Sequence, residues 1–346
     1  MSVFCVGFAR RGFLAATGMF VFGLVLSRLF IALSQAQERV NLTLVSYAVT
    51  RAAYDNIIPK FAAQWEAETG QRVFIEASYA GSATQSRAVI DGLDADVVAL
   101  AMALDIYRIQ EANLIQPGWE DRAPNGGILT RSVAVIVTRE GNPKGIQDWD
   151  DLAEEGINVV TANPKTSGGA RWNFLSLWGH KTLVQEATDD EALEFTTQVY
   201  QNAGVLSRDA REATDVFFQK GQGDALITYE HEVLLANRRG KNLPYVLPSS
   251  SISIENPVAV VDEIVDRKGT REVAEAFVAF LFTPEAQREF AAVGFRPVNK
   301  EVAAEFADQY PTLDNLFTVE DLGGWDAVQQ QFFDDGAIFD DIQAQL

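Results

Sequence analysis

The 346-residue sequence contains one cysteine, Cys5, and two histidines, His180 and His231. It is also short of positive charge, with 28 Lys and Arg against 48 Asp and Glu and a formal net charge of −20. A lone cysteine excludes an intrachain disulfide and a thiolate metal cluster. A histidine without partners is more often packed or solvated than catalytic. The acidic balance excludes nucleic acid and anionic membrane surfaces as general partners. It equally excludes long-range attraction as a way of catching an anion, so any anion site must work through local, oriented donors. G-x-S-x-G, Walker-type and G-x-G-x-x-G motifs are absent, as are low-complexity linkers and strong internal repeats. Tyr229-Glu230-His231-Glu232 carries metal-ligating residue types, but on a strand only alternate residues share a face. No metal site, cofactor or catalytic residue is assigned.

What is present is an ordinary globular composition, 47% hydrophobic and 22% charged, long enough for two domains with cores of their own. The first segment reads as an export signal. Phe13 to Leu33 is apolar apart from Arg28, follows Arg10-Arg11, and leads to Ser34-Gln35-Ala36, which places cleavage after Ala36. Arg10-Arg11-Gly12-Phe13-Leu14 matches the twin-arginine pattern without its flanking Ser and Lys. A retained membrane anchor is the alternative, since the run approaches the ~20 residues that span a bilayer. Cys5 precedes the apolar run, where a lipoprotein cysteine would follow it. Cleavage removes three arginines and no acid, taking the charge from −20 to −23.

Beyond the leader, strand and helix patterns alternate. Val40–Ala48 alternates apolar and polar residues, and Tyr54, Ile57, Ile58, Phe61 and Trp65 then share one helical face, ended by Gly70. Val73–Tyr79, Val97–Ala103, Val133–Thr138, Ile157–Thr161, Ala225–Tyr229 and Ile252–Val261 read as strands. Ala170–Trp178 reads as a helix, and Thr283-Pro284-Glu285 opens another with cap, proline and acid in order. Pro117–Gly127 reads as a crossing or surface loop. The alternation predicts an α/β fold with mainly parallel sheets, in two blocks between which the chain crosses more than once.

Three segments share one device, a strand end followed by small residues and a helix start: Ser78–Thr84, Pro164–Arg171 and Ser207–Thr214. A helix N-terminus leaves N–H groups unpaired and favours negative charge; glycine admits a ligand to the backbone, and serine adds a hydroxyl. Three such ends around one cleft hold a tetrahedral oxyanion without a neutralising lysine pair. Taken singly, each is an ordinary structural turn. Arg171 and Arg211 sit just inside helix starts, where a cation opposes the dipole and needs a carboxylate or a ligand. For Arg211 the neighbouring Asp209 and Glu212 are the expected partners.

At these segments the chain closely resembles the periplasmic sulfate- and thiosulfate-binding proteins of bacterial ABC importers, over essentially everything after the leader. The resemblance rests on Val45-Ser46-Tyr47 with Thr50-Arg51, on Asn163 through Asn173 (NPKTSGGARWN), on Phe290–Pro297 (FAAVGFRP) and on Leu322-Gly323-Gly324-Trp325. Ser46 through Thr50 and Asp209 through Asp215 look like the cyanobacterial branch. The resemblance implies a type II periplasmic-binding fold, two α/β lobes closing over dehydrated sulfate with no cationic side chain touching it. It assigns ligand contacts to Ser82, Ser167, Gly168, Gly169, Ala210 and Tyr229, and an orienting role to Arg171 and Arg211. Tyr229 stands where other members carry a tryptophan, Ala48 where some carry an aspartate, and Ala80-Gly81-Ser82-Ala83 where many have more glycines.

The implied organisation is a leader at 1–36, a first lobe at 37–122 and 250–310, a second at 123–249, and a C-terminal helical segment at 311–346. The implied partners are sulfate or thiosulfate and the membrane permease, with the protein a periplasmic monomer. Phosphate, molybdate or ferric iron are the alternative ligands, and an exported ester hydrolase is the alternative function. Sulfate needs donors only, whereas phosphate near neutral pH keeps a proton that needs an acceptor. A site without a carboxylate therefore favours sulfate, with the Tyr229 oxygen the one group that accepts.

Overall fold

The computed structural model describes residues 39–346 apart from Val205. The expected leader, its cleavage site and Cys5 lie outside the described residues. By internal contacts the chain divides into two compact units, 41–61 with 75–346 and 1–40 with 62–74. In the described part of the smaller unit, Trp65 Nε1 donates to Gln71 at 3.0 Å and Arg72 Nε lies 3.0 Å from Glu66 Oε1. Everything below concerns the larger unit.

Two sheets carry its architecture. The first has six strands in the order β12-β4-β11-β3-β1-β2, formed by β1 (Arg39–Tyr47), β2 (Arg72–Ala80), β3 (Val97–Ala99), β4 (Ile128–Ser132), β11 (Ile254–Val260) and β12 (Arg296–Pro297). The second has five in the order β7-β6-β8-β5-β9, formed by β5 (Ala134–Thr138), β6 (Val159–Ala162), β7 (Leu206–Ser207), β8 (Ala225–Tyr229) and β9 (Tyr245–Val246). A separate parallel pair joins β10 (Ser250–Ile252) to β13 (Asn315–Phe317).

Strands that follow a helix run parallel, as β1 with β3 and β6 with both β7 and β8. Mainly parallel sheets, the expectation from strand–helix alternation, are amended where the chain enters a sheet without a preceding crossover helix. There β11 runs antiparallel to β3 and β4, and β5 antiparallel to β8 and β9. β4 pairs with β11, so the sheet of the second block, expected after residue 122, begins only at β5. Pro117–Gly127 is not a loop over the surface. It forms two short 3-10 turns that bury Trp119 and return the chain to the same sheet.

The helices follow their sequence signals. In α1 (Arg51–Thr69), Tyr54, Ile57 and Phe61 are buried, with Phe61 packed on Phe277 and Phe280 at 5.0 and 5.6 Å. Three shorter helices begin at strand ends: α2 (Ser82–Ile90), α3 (Ala103–Glu111) and, after β6, α4 (Gly168–Gly179). The apolar run from Val97 to Ala103 is longer than strand β3 because its last residues lead into α3. Further on come α5 (Asp189–Gln201), α6 (Ala210–Phe218) and α7 (Glu230–Arg238). Every residue of α4 is buried, an arrangement of a helix sunk in a core rather than lying on it. Phe174 of α4 packs on Phe332, Phe333 and Phe339 of the C-terminal segment at 5.3 to 6.0 Å.

Candidate functional site

Three helix N-termini meet around one cleft. Its walls are Tyr47, Ala48, Val49, Ala80, Gly81, Ser82, Ala101, Ser167, Gly168, Gly169, Asp209, Ala210, Arg211 and Tyr229, around an empty volume of about 330 Å³. All six residues expected to contact a ligand are among them. The lining comes from ends of strands in both sheets and from the helix starts that follow.

Each helix start spends its donors differently. At α2 the N-cap is Gly81, which has no side chain to accept from the first-turn N–H groups. At α4 the N-cap is Ser167, whose Oγ accepts from Ala170 N at 3.3 Å. That leaves the N–H groups of Gly168 and Gly169 ahead of it, and the Ser167 proton, for the cleft. At α6 the N-cap is Asp209, whose Oδ1 accepts from Glu212 N at 2.9 Å, one position beyond Ala210 and Arg211. The two glycines are required by close approach and not by backbone conformation. A Cβ on Gly169 would lie 2.9 Å from Tyr229 Cε2 and 3.0 Å from its hydroxyl. One on Gly168 would lie 3.0 Å from Met102 Cε and 3.3 Å from Ala101 Cβ.

Tyr229 ends β8 and is buried, its ring stacked at 4.7 Å on His231. Burial first, then Glu232 and Asp105, push its phenol well above the ordinary value, so it keeps its proton and presents a donor. Ser82 is buried too, with Oγ 2.5 Å from Asp105 Oδ2 and accepting from Ala101 N at 3.0 Å. The site is therefore rich in N–H and O–H donors. The one carboxylate on its wall, Asp209, is engaged at Oδ1 by the α6 backbone and at Oδ2 by Arg208 Nε at 3.3 Å.

The two arginines act on the protein. Arg171 donates through Nε to Pro164 O and through Nη1 to Gln329 Oε1, both at 2.9 Å, and lies 4.9 Å from the Phe333 ring. It thereby ties the loop before α4 to the helix that follows it. Burial, opposed by Asp105, lowers its pKa to about 10. Arg211 pairs with buried Glu232 at 3.0 Å, not with its neighbours. Asp209 is taken as the α6 cap, and Glu212 accepts from Arg208 N at 2.8 Å, so neither is available. The other residues of the Tyr229–Glu232 run are engaged as well. Glu230 pairs with Arg296 through both oxygens at 2.7 and 2.8 Å, and His231 Nδ1 lies 3.0 Å from Ser132 Oγ. Far from the cleft, His180 is buried, with Nδ1 2.8 Å from Ser250 Oγ.

Tyr47, Ala48 and Val49 had been read as a strand end and not as part of a site. They are a fourth instance of the same device, β1 running into a 3-10 turn at Ala48–Thr50 and then α1. That signal was present at Ser46–Thr50. Ala101 and Asp105 carry none, since they reach the site only through tertiary contact.

Comparison with known proteins agrees with this geometry. The family of bacterial extracellular solute-binding proteins matches residues 42–296. A sulfate-binding protein of Synechococcus elongatus is 58% identical, over 88% of this chain and 87% of its own. One from Synechocystis sp. is 56% identical, over 90% and 88%. Among solved structures, the sulfate-binding protein SubI of Mycobacterium tuberculosis superposes with a TM-score of 0.78 at 40% identity, covering 85% of this chain and all of that one.

Proposed function

The chain belongs to the sulfate-binding family of bacterial extracellular solute-binding proteins, and from that premise we infer that it takes sulfate into the cleft and hands it to an ABC importer. The observation that carries this is the convergence of the α2, α4 and α6 N-termini with the Ser82, Ser167 and Tyr229 hydroxyls on one cleft. Such a cleft offers a dianion many oriented donors and no opposing cation, which suits a chain of net charge −20. Ser82, Ser167, Gly168, Gly169, Ala210 and Tyr229 hold the anion. Arg171 and Arg211 hold the loops that present those donors.

The protein works outside the cytoplasm. Residues 1–36 act as a cleaved export signal, of twin-arginine or general secretory type, and the exported chain is a monomer that binds no nucleic acid. The first lobe carries the six-stranded sheet through β4, the second begins at β5, and the chain returns to the first with β11. Residues 311–346 fasten the second lobe. The permease recognises the form closed on the anion. The protein has no catalytic role, because no nucleophile faces a base across the cleft.

The test is calorimetric titration of the exported protein, unfolded and refolded first to strip bound anion, with sulfate, thiosulfate, phosphate and molybdate. Tight one-to-one binding of sulfate is expected, with phosphate weaker by orders of magnitude. Gly169→Ala is expected to abolish it, because its methyl enters the Tyr229 ring. No heat with any of the four anions, from folded protein, would overturn the reading.

A further inference from the structure

Behind the cleft lies a carboxyl group that the reading above does not use. Asp105, in α3, is fully buried; its Oδ2 is 2.5 Å from Ser82 Oγ, and its Oδ1 has no hydrogen-bond partner. Arg108 Nη1, on the same helix, lies 3.5 Å from Oδ1 without forming a hydrogen bond. Ser82 Oγ also accepts from Ala101 N at 3.0 Å. A hydroxyl has one proton and two lone pairs. Two of the three directions around Ser82 Oγ are thus filled by protein, and one remains for a ligand in the cleft that Ser82 lines.

What that third direction offers depends on Asp105. If Asp105 is a carboxylate, it takes the Ser82 proton, and Ser82 turns a lone pair toward the cleft with a buried negative charge behind it. If Asp105 is an acid, it donates to Ser82, Ala101 N fills the second lone pair, and the Ser82 proton points into the cleft. An oxyanion without protons requires the second arrangement. A buried carboxylate with one oxygen unpaired is also the costlier state.

We propose that Asp105 is a specificity-determining residue: held as a neutral acid, it donates to Ser82 Oγ and commits the Ser82 hydroxyl to donating to a fully ionised oxyanion. The proposal rests on the oxyanion reading of the cleft and says how that cleft excludes a protonated one, since monohydrogen phosphate would find a donor where it needs an acceptor. Burial is the main force holding Asp105 toward its acid form, while Ser82, Arg171 of α4 and Arg108 oppose it. A bound dianion adds repulsion in the same sense as burial.

The test combines Asp105→Asn with infrared spectroscopy. The amide NH₂ donates to Ser82 as the acid does, so the variant is expected to bind sulfate within threefold of the wild type at neutral pH. It should also keep the preference over phosphate. Sulfate-loaded wild type should show the carbonyl stretch of a protonated carboxylic acid, shifted by ¹³C-aspartate labelling and absent from the variant. Raising the pH should weaken sulfate binding by the wild type once Asp105 ionises, and not by the variant. Ser82→Ala should cost both backgrounds tenfold or more.

Absence of the carboxylic acid band overturns the proposal. So does a folded Asp105→Asn that binds sulfate tenfold tighter, which would mean an ionised wild type. Binding tenfold weaker would mean that an accepting carboxylate is needed, and overturns it too. If the variant fails to fold, the wild-type band and its pH dependence decide. If the wild type binds no sulfate, the functional reading falls, while the band in the unloaded protein still reports the state of Asp105.

Discussion

At the scale of single residues, the cleft depends on side chains one layer behind it. His231 is the clearest case. It is buried between the Tyr229 ring at 4.7 Å and the Phe295 ring at 4.0 Å, with Ser132 on Nδ1 and no partner on Nε2. Burial, with Arg211 adding to it, lowers its pKa to about 3. A histidine whose folded pKa lies below its unfolded value of about 6.5 stabilises fully above that value and loses the contribution as pH falls through the interval. At about 1.4 kcal/mol per pH unit, His231 should cost the fold about 2 kcal/mol between pH 6.5 and pH 5. Denaturant melts across that range should show the loss. They should show it reduced in His231→Phe, which keeps the stack and cannot charge. Asp105 and His231 are both ionisable types in non-ionised roles, and both stand behind hydroxyl donors of the cleft.

At the scale of elements, caps separate stability from function. Two helices of the second block have side-chain N-caps of similar strength in different places. Thr188 forms a capping box with Glu191 at the start of α5, and Asp209 caps α6 at the cleft. Removing either, as Thr188→Ala or Asp209→Ala, should cost about 0.5–2 kcal/mol of stability. Only Asp209→Ala should also weaken sulfate binding in a titration, because α6 presents the Ala210 N–H to the cleft. Helix starts were legible in sequence as small-residue turns after strands, and three of them were read that way. The fourth, at Tyr47–Val49, was missed because its residues are not small: a tyrosine and a valine flank one alanine. The Arg211 pairing was misread for a related reason. Sequence proximity suggested Asp209 and Glu212, but the helix start consumes both, and the arginine reaches Glu232 in α7.

At the scale of the whole molecule, an ion pair joins the two sheets beside the site. Glu230 follows β8 of the five-stranded sheet and is fully buried, and Arg296 lies in β12 of the six-stranded one. The pair is bidentate, and Arg296 also donates to Pro311 O at 3.0 Å. Arg296→Met should cost about 3–5 kcal/mol in denaturant unfolding, since it leaves a buried carboxylate without its partner.

The sequence by itself determined the α/β class, most element positions, the donor-rich helix starts and, through NPKTSGGARWN, the family. These are local properties, set by periodicity, caps and glycine placement within a few residues. Only the tertiary structure decided where the chain passes from one sheet to the other, because β4 belongs to the first sheet by its ladder to β11 and not by its sequence. Only it showed that Gly169 is a glycine to make room for Tyr229, sixty residues later, and that Asp105 stands behind Ser82. Hydrogen bonds and steric limits between distant segments leave no periodic trace in the chain, and the character of this cleft is settled by contacts of that kind.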